Sequence, residues 1–159
     1  MNDERIASHW LPCSVVFVST AYKGKRDIMT ATAMFVSEKE PLVAISLAKN
    51  HLTDQLIENS GEFILAIASE AQKDLVWQLG SVKGEGGDKF THFSISTIEY
   101  QPGKALIPEG AAAWMACQVV SKQDVDDYRL VIARVVDQKD LGNPLLVWQK
   151  NKLFTLKPL

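Results

Sequence analysis

The feature that most constrains the fold of this sequence is a succession of short, β-branched apolar runs separated by turn residues. Residues 15–20 (VVFVST) form the first run, a Lys-Gly-Lys turn at residues 23–25 follows, and residues 27–37 form a second extended stretch. Two such runs around a short glycine-containing turn predict a β-hairpin. Further strand-like segments lie at residues 42–47, 62–68, 93–98, 113–121, 128–137, 145–148 and 153–156.

Two short helices are predicted among these strands. The first covers residues 53–59, with Thr53 as its N-cap and Gly61 just beyond its end, because both residue types favour those positions. The second covers residues 70–79, where Ser69 and a glutamine three residues later have the spacing of a capping box. We expect its apolar face to pack on the sheet.

The order of the elements indicates the fold class. The strands do not alternate with helices as in a doubly wound sheet, and a closed or nearly closed barrel would cover their edges. Turns are predicted at residues 102–103, 126–127 and 142–144. We therefore expect a mainly β protein, a β-barrel with two or more short flanking helices, forming a single domain over residues 1–159.

Charge and hydropathy exclude several classes of function. The net charge is −2 and the lysines and arginines are scattered, so neither a nucleic-acid backbone nor an anionic membrane is an expected partner. The N-terminus is polar and acidic rather than basic and then apolar, and no apolar run is long enough to span a bilayer. The sequence predicts a cytoplasmic protein.

The histidines and cysteines do not suggest a metal site. His9, His51 and His92 are isolated from one another in the sequence, without the paired spacing of a zinc site. Cys13 and Cys117 lie in apolar, strand-like surroundings and form no CxxC pair, so we expect buried core thiols rather than redox centres. No metal is predicted.

Three polar segments are candidates for ligand binding. The first is Met29, Thr30, Ala31 and Thr32 in the second hairpin strand. Small hydroxyl-bearing residues there would let a planar ligand approach the backbone and its hydrogen-bonding groups. Ordinary strand packing is the alternative interpretation, because threonine favours strands.

The second segment joins a strand to the first predicted helix. Lys49, Asn50 and Thr53 would bring a cation, an amide and a hydroxyl to the free N–H groups of a helix N-terminus, which favours an anion such as phosphate. Alternatively, Thr53 only caps the helix while Lys49 lies in solvent.

The third segment follows the glycine-rich residues 83–87, which lack the pattern of a dinucleotide fingerprint or a P-loop. Here Lys89 offers a second cation for a phosphate, Phe90 offers an aromatic face for a flat ring, and Asp88 could fix the loop by bonding its backbone. A solvated Asp-Lys pair beside a core phenylalanine is the alternative.

Taken in order, these segments resemble the flavin reductase-like family of FMN-binding split barrels. The resemblance rests on residues 11–20 (LPCSVVFVST), 27–32 (DIMTAT), 41–46 (PLVAIS), 49–53 (KNHLT), 60–63 (SGEF), 88–90 (DKF) and 128–136 (YRLVIARVV). It covers most of the chain, from about residue 11 to residue 148. The ordered series carries the resemblance rather than any one motif.

The resemblance implies a split β-barrel that binds FMN, with FAD as the alternative flavin. It implies that Met29, Thr30, Ala31 and Thr32 lie along the isoalloxazine ring and ribityl chain, that Lys49, Asn50 and Thr53 surround the phosphate, and that Asp88, Lys89 and Phe90 close the site. It also implies a homodimer with the flavin near the subunit interface. Trp10, Trp114 and Trp148 could serve that interface, although ordinary core packing is the favoured reading.

Two positions depart from the family pattern. Asp27 stands where many reductases carry asparagine, and Tyr128 stands where a Gly-Asp-His turn usually supplies a histidine on the nicotinamide side of the site. The second departure concerns the use of NAD(P)H and leaves flavin binding as the expectation.

The resulting expectation is an FMN-binding oxidoreductase, an NAD(P)H:flavin reductase that transfers hydride from nicotinamide to flavin and passes electrons to oxygen, free flavin or an electron-acceptor protein. The flavin supplies the chemistry, so no residue is named as catalytic. One alternative is a flavoredoxin-like electron carrier or flavin store without efficient NAD(P)H turnover. Another is a split barrel that binds haem or pyridoxal phosphate.

Overall fold

A computed structural model describes residues 7–82, 86–100 and 105–159 of the chain. Three parts of the sequence discussed above lie outside the described residues: the N-terminal residues 1–6, residues 83–85 of the glycine-rich segment, and the turn predicted at residues 102–103. Within the described ranges, no helix has the length and apolar character needed to cross a membrane.

The described residues form ten strands and three helices, and most elements are short. The strands are β1 Cys13–Tyr22, β2 Lys25–Ser37, β3 Leu42–Ala48, β4 Glu62–Ile67, β5 Thr97–Glu99, β6 Leu106–Pro108, β7 Ala113–Val125, β8 Tyr128–Asp140, β9 Leu146–Gln149 and β10 Lys152–Thr155. The helices are α1 Leu52–Ser60, α2 Lys73–Gly80 and α3 Lys89–His92, with 3-10 turns at Ala7–His9 and Glu70–Gln72.

Six of the strands close into an antiparallel barrel, which confirms the predicted fold class. The order is β1-β2-β3-β8-β7-β4, and β4 pairs back onto β1 to complete the circle. The hairpin of β9 and β10 extends the sheet beyond the start of β1, and β5 pairs with β6 in a separate two-stranded sheet. Closure leaves the barrel strands without open edges over their paired lengths.

The barrel interior is filled by alternate residues of all six strands. Val16 and Val18 of β1 lie in this inner cluster together with Phe63 and Leu65 of β4. Their neighbours face outward, and Phe17 joins a second apolar cluster that packs under α2 and α3. This two-residue alternation explains why β1 is apolar on both faces, since each face lies against a separate core.

The first hairpin forms as predicted. Lys23 and Gly24 both have positive φ angles, 47° and 80°, which is the backbone of a type I′ turn between twisted strands. The pairing then runs without interruption from Tyr22↔Lys25 to Ser14↔Ala33.

The other side of β2 behaves differently and opens the barrel wall. Strand β2 pairs with β3 only from Ala33↔Ile45 to Ser37↔Leu42. Before Ala33 the two strands diverge, and the end of β3 stays paired with β8 instead, as far as Ala48↔Tyr128. Residues 27–32 of β2 therefore keep β1 on one side while the other side faces a gap.

Several predicted boundaries are wrong. Thr53 is not the N-cap of α1, because the helix already begins at Leu52 with His51 as the capping residue. Residues 93–96 are not a strand, since only Thr97–Glu99 is extended there. Two further elements, α3 and β6, are not predicted from the sequence, because they are four and three residues long and too short for a periodic pattern.

Other details agree with the sequence. Gly61 ends α1 in the left-handed conformation at φ 72° and its N–H donates to the carbonyl of Ile57. The backbone N–H of Ser69 donates to Oε1 of Gln72 at 3.1 Å, one half of the predicted capping box. Cys117 is buried as expected and burial raises the pKa of its thiol to about 12, whereas Cys13 is only partly buried.

Candidate functional site

The gap beside β2 opens into a cavity of about 650 Å³, within the range of roughly 300–1,000 Å³ usual for small-molecule sites. Strand β2 forms its floor, α2 and the residues after it form one wall, and the ends of β3 and α1 form the other. The lining residues are Val15, Asp27, Met29, Thr30, Ala31, Thr32, Ser46, Ala48, His51, Thr53, Val76, Trp77, Leu79, Gly80, Ser81, Val82, Lys89, Tyr128 and Trp148.

The backbone of β2 presents polar groups to this cavity. The Lys89 ammonium donates to the carbonyl of Ile28 at 2.9 Å, so that carbonyl points away from β1. Backbone groups of a strand alternate between its two edges with a period of two residues. The N–H and C=O groups of Thr30 and Thr32 therefore lie on the same edge as the Ile28 carbonyl, beside the cavity.

The side chains of the same strand divide between two surfaces. Met29 and Ala31 are partly buried against the inner cluster of the barrel, while Thr30 and Thr32 project from the opposite face. The Thr30 hydroxyl donates to the carbonyl of Val76 in α2 at 2.8 Å. This bond fixes α2 against β2 and sets the width of the cavity at that point.

Helix α2 is also held from its other end. The hydroxyl of Ser69 donates to the carbonyl of Gly110, and Nε2 of Gln72 donates to the carbonyl of Glu109 at 2.9 Å. Both bonds tie the 3-10 turn before α2 to the loop that enters β7. The wall that carries Trp77 is thus bonded to the rest of the fold at two places, at the turn before α2 and at Val76.

The first turn of α1 faces the opposite end of the cavity. His51 caps the helix through its backbone, and within the described residues no side chain bonds the free N–H groups of the first turn. His51 and Thr53 line the cavity, whereas Lys49 and Asn50 do not. Asn50 has φ 67°, and its N–H donates to Oδ2 of Asp54 at 3.1 Å.

A buried ionic cluster joins β2, α1 and α3 at this end. Asp27 accepts a hydrogen bond from the Thr53 hydroxyl at 2.7 Å and forms an ion pair with Lys89 at 3.3 Å. The three residues are 3%, 1% and 5% exposed respectively. The hydroxyl of Thr53 is therefore directed to Asp27 rather than to the backbone of its own helix.

The three residues of the third predicted segment, Asp88, Lys89 and Phe90, have different surroundings in the structure. Asp88 pairs with Arg26 at 2.6 Å on the surface and caps α3 by accepting from the Phe90 N–H at 3.1 Å. The Arg26 hydrogen bond is the main cause that lowers the pKa of Asp88. Phe90 is buried in the outer cluster. The solvated Asp88–Lys89 pair offered as the alternative is wrong, because the two side chains have different partners.

A second charged cluster anchors α1 to the hairpin of β7 and β8. Arg129 lies 3.2 Å from Asp54 and 2.5 Å from Glu58, and Lys122 lies 3.3 Å from Glu58. The hydrogen bond from Arg129 is the main cause that lowers the pKa of Glu58. Arg129 Nε has no aligned hydrogen-bond partner among the described residues, so its contact with Asp54 is an ion pair. The cluster lies next in sequence to Tyr128, which lines the cavity.

The structure brings together six of the ten predicted site residues. These are Met29, Thr30, Ala31, Thr32, Thr53 and Lys89, which all line the cavity, while Lys49, Asn50, Asp88 and Phe90 do not. Asp88 and Phe90 lie on either side of Lys89: Asp88 caps α3 and Phe90 packs in the outer cluster. Lys49 follows the last lining residue of β3, and its N–H donates to the carbonyl of Asp127 at 3.0 Å.

The wall formed by α2 is not predicted from the sequence. Trp77 and Ser81 line the cavity, but the helical spacing had indicated only a face that packs on the barrel. The exposed tryptophan on that short helix was the available signal. Of the other tryptophans, Trp114 is core as favoured, Trp148 lines the cavity and is half-buried, and Trp10 is exposed, so core packing is wrong for it.

Comparison with known proteins agrees with this arrangement. The family model described as "Flavin reductase like domain" matches residues 8–157. An uncharacterized protein of Escherichia coli K12, YddH, is 33% identical over 115 residues, which is 70% of this chain. The chain spans 61% of the length of that relative.

Two solved structures show the same fold. The flavin reductase PheA2 is 25% identical, with a TM-score of 0.81 over 99% of this chain and 100% of its own. The NADH:FAD oxidoreductase SgcE6 of Streptomyces globisporus C-1027 is 18% identical, with a TM-score of 0.83 over 93% of this chain and 88% of its own. The latter likeness concerns the fold alone.

Proposed function

This chain belongs to the flavin reductase like domain family, and we propose that it is an NAD(P)H:flavin oxidoreductase that binds FMN in the cavity beside β2. FAD is the alternative flavin. The observation that carries the proposal is the free edge of β2, where the backbone of Thr30 and Thr32 faces a cavity with largely apolar walls. A flat heteroaromatic ring with polar edges needs such a combination of apolar walls and backbone donors and acceptors.

The residues present fit a flavin. The cavity volume of about 650 Å³ accommodates a ring system with a polar side chain. Trp77 and Trp148 supply aromatic surface near one end. The uncapped first turn of α1 supplies N–H groups for an anion at the other end.

Each predicted residue has a proposed role in holding the flavin. The floor of the site is formed along β2 by Met29, Thr30, Ala31 and Thr32. Their backbone groups bond the ring and the ribityl chain, and their side chains set the shape of the floor. Thr53 lies at the phosphate end with the first turn of α1, and Lys49 and Asn50 flank that turn from outside the cavity. Asp88 and Phe90 position Lys89, which closes the site.

A flavin held along β2 and at the first turn of α1 would supply the redox chemistry, which is hydride acceptance from NAD(P)H and electron release to an acceptor. The chain's residues bind and orient the two ring systems and exclude water from their contact. No side chain needs to transfer a proton in this account, so none is proposed as catalytic. Tyr128, half-exposed at the rim, is the residue proposed to contact the nicotinamide.

A blocking variant tests the location of the site. Thr32 is exposed and lines the cavity, so Thr32→Trp fills the cavity without disturbing either core. FMN titrations followed by flavin fluorescence should show binding to the wild type and little or none to this variant. Lys25→Trp places the same side chain on an exposed position of the same strand outside the cavity, and it should bind FMN like the wild type. Equal binding by Thr32→Trp would reject this site.

A second candidate function is a flavin-binding electron carrier without efficient NAD(P)H turnover. Tyr128 favours it, since the resemblance places a histidine of the nicotinamide side at that position. Rapid mixing of the reconstituted protein with NADH or NADPH separates the two functions. Fast bleaching of the flavin supports the reductase, and Tyr128→His should accelerate bleaching if the carrier function is correct.

A homodimer is part of the proposal. Met34 and Phe35 on the far half of β2 are 66% and 67% exposed, and Val36 beside them is also exposed. Met34 and Val36 lie on the same face of the strand, and exposed apolar patches often mark a protein–protein contact. Light scattering should give twice the chain mass for the wild type and the chain mass for Phe35→Asp. A monomeric wild type would reject the dimer.

The remaining parts of the proposal concern the setting of the reaction. We place residues 1–159 in one domain that acts in the cytoplasm, with oxygen, free flavin or an electron-acceptor protein receiving the electrons. Pull-down of the reduced protein with candidate flavin-dependent oxygenases, followed by anaerobic electron-transfer assays, tests the protein acceptor.

A further inference from the structure

The charge of the cavity is balanced by two buried side chains. Among the described lining residues, Asp27 and Lys89 are the ones that carry a full formal charge, and their charges cancel. A positively charged lysine at a phosphate end would favour an anion, but this lysine already has a carboxylate beside it. The cavity therefore has no net positive charge from its lining side chains.

The ammonium group of Lys89 already has two partners in the protein. Its ammonium lies 3.3 Å from Oδ1 of Asp27 and donates to the Ile28 carbonyl at 2.9 Å. Oδ2 of Asp27 is occupied by the Thr53 hydroxyl at 2.7 Å. With both partners almost fully buried, solvent screens the pair weakly.

An anion that approaches Lys89 also approaches the Asp27 carboxylate. Attraction to the ammonium and repulsion from the carboxylate act over similar distances and in the same weakly screened surroundings. A phosphate group therefore gains little from Lys89 as long as Asp27 is ionised and paired. The neutral ring and ribityl parts of a flavin are not affected by this cancellation.

We propose that Asp27 is a specificity-determining residue: by offsetting the charge of Lys89 it leaves the phosphate of FMN to the N–H groups of the first turn of α1, and it thereby limits the preference of the cavity for FMN over riboflavin. The inference rests on the proposed function, since it concerns flavin binding in the same cavity.

The test compares dissociation constants for FMN and riboflavin in the wild type and in Asp27→Asn. In the wild type the ratio of the two constants should reflect the N–H groups of the first turn of α1 without a contribution from Lys89. In Asp27→Asn the free charge of Lys89 should shift the ratio toward FMN by about tenfold, the change that 1.4 kcal/mol produces. An unchanged ratio, or a shift toward riboflavin, would overturn the proposal.

The double variant Asp27→Leu with Lys89→Met keeps the test decisive if Asp27→Asn folds poorly. It removes both charges together and leaves no buried charge unpaired. Its ratio should equal that of the wild type, and a loss of FMN preference of about tenfold would mean that Lys89 does serve the phosphate despite Asp27. If the wild type binds neither flavin, the proposed function itself fails, which is a separate outcome.

Discussion

The ammonium group of Lys89 in α3 lies 3.3 Å from the carboxylate of Asp27 in β2, and both side chains are almost fully buried. This ion pair connects a helix of only four residues to the barrel. Both residues also line one end of the cavity, where Asp27 accepts a hydrogen bond from the Thr53 hydroxyl. The pair thus belongs both to the stability of the fold and to the site.

Lys89→Met should destabilise the protein strongly. The substitution leaves the Asp27 carboxylate buried without its ionic partner, which typically costs about 3–5 kcal/mol. Urea unfolding followed by circular dichroism measures the change in the free energy of unfolding.

Two controls separate burial from charge. Arg26→Met removes the cation of the Arg26–Asp88 pair, whose side chains are 40% and 38% exposed, and should cost at most about 1 kcal/mol. Replacing Asp27 by Leu together with Lys89→Met should cost much less than Lys89→Met alone. If Lys89→Met and Arg26→Met lower the free energy of unfolding equally, breaking the buried pair costs no more than breaking the exposed pair, which contradicts the prediction.

Thr30→Val should move α2. The variant keeps the shape of the side chain but loses the hydrogen bond to the Val76 carbonyl, which is worth about 1 kcal/mol. FMN affinity should fall with it, because α2 forms a wall of the cavity. Thr32→Val is the matched control on the same strand, and it should change the free energy of unfolding by less than Thr30→Val. A larger loss of stability in the control would contradict the assigned hydrogen bond.

The two thiols should differ in reactivity. Burial raises the pKa of Cys117 to about 12, so little thiolate forms near neutral pH and the group is also inaccessible. Cys13 is partly exposed. Alkylation of the folded protein followed by peptide mass spectrometry should label Cys13 first and Cys117 only after unfolding. Rapid labelling of both would contradict the burial of Cys117.

Glu58 should contribute to stability in a pH-dependent way. Its hydrogen bond from Arg129 lowers its pKa in the folded protein below the usual value of 4.5. A carboxyl group with a lowered folded pKa stabilises above its unfolded pKa, and the contribution is lost as the pH falls through the folded pKa. Glu58→Gln should therefore lower the melting temperature slightly at about pH 7, and the difference should be smaller at a pH well below 4.5, as the pH falls through the folded pKa of Glu58.

The effect should be small because Glu58 is half-exposed and solvent screens its ion pairs. Glu38→Gln is a surface control, and its melting temperature should follow that of the wild type at both pH values. A difference for Glu58→Gln that grows as the pH falls would contradict the role of Arg129.

The parts of the fold that could be predicted from the sequence are those determined locally. Lys23 and Gly24 form a tight turn between two β-branched runs, so the hairpin and its register follow from neighbouring residues. The start of α1 does not follow, because the hydroxyl of Thr53 bonds Asp27, a residue 26 positions away. A threonine near a helix start has the same local signature whether it caps the helix or bonds another element.

The site was predictable to the extent that its residues lie on one strand. Met29, Thr30, Ala31 and Thr32 adjoin in sequence and line the cavity together. Trp77 and His51 reach the cavity only because β2 diverges from β3 and the gap is closed by helices from elsewhere. The pairing of Lys89 with Asp27 rather than with Asp88 likewise depends on tertiary contact, which sequence spacing does not encode.

An anaerobic visible spectrum of the purified protein with FMN, recorded before and after the addition of NADH or NADPH, tests whether this chain is a flavin reductase. We expect a perturbed flavin band that bleaches on the timescale of turnover. A band that persists until a chemical reductant is added would contradict the reductase function and favour the electron carrier. A spectrum identical to that of free FMN would contradict flavin binding altogether.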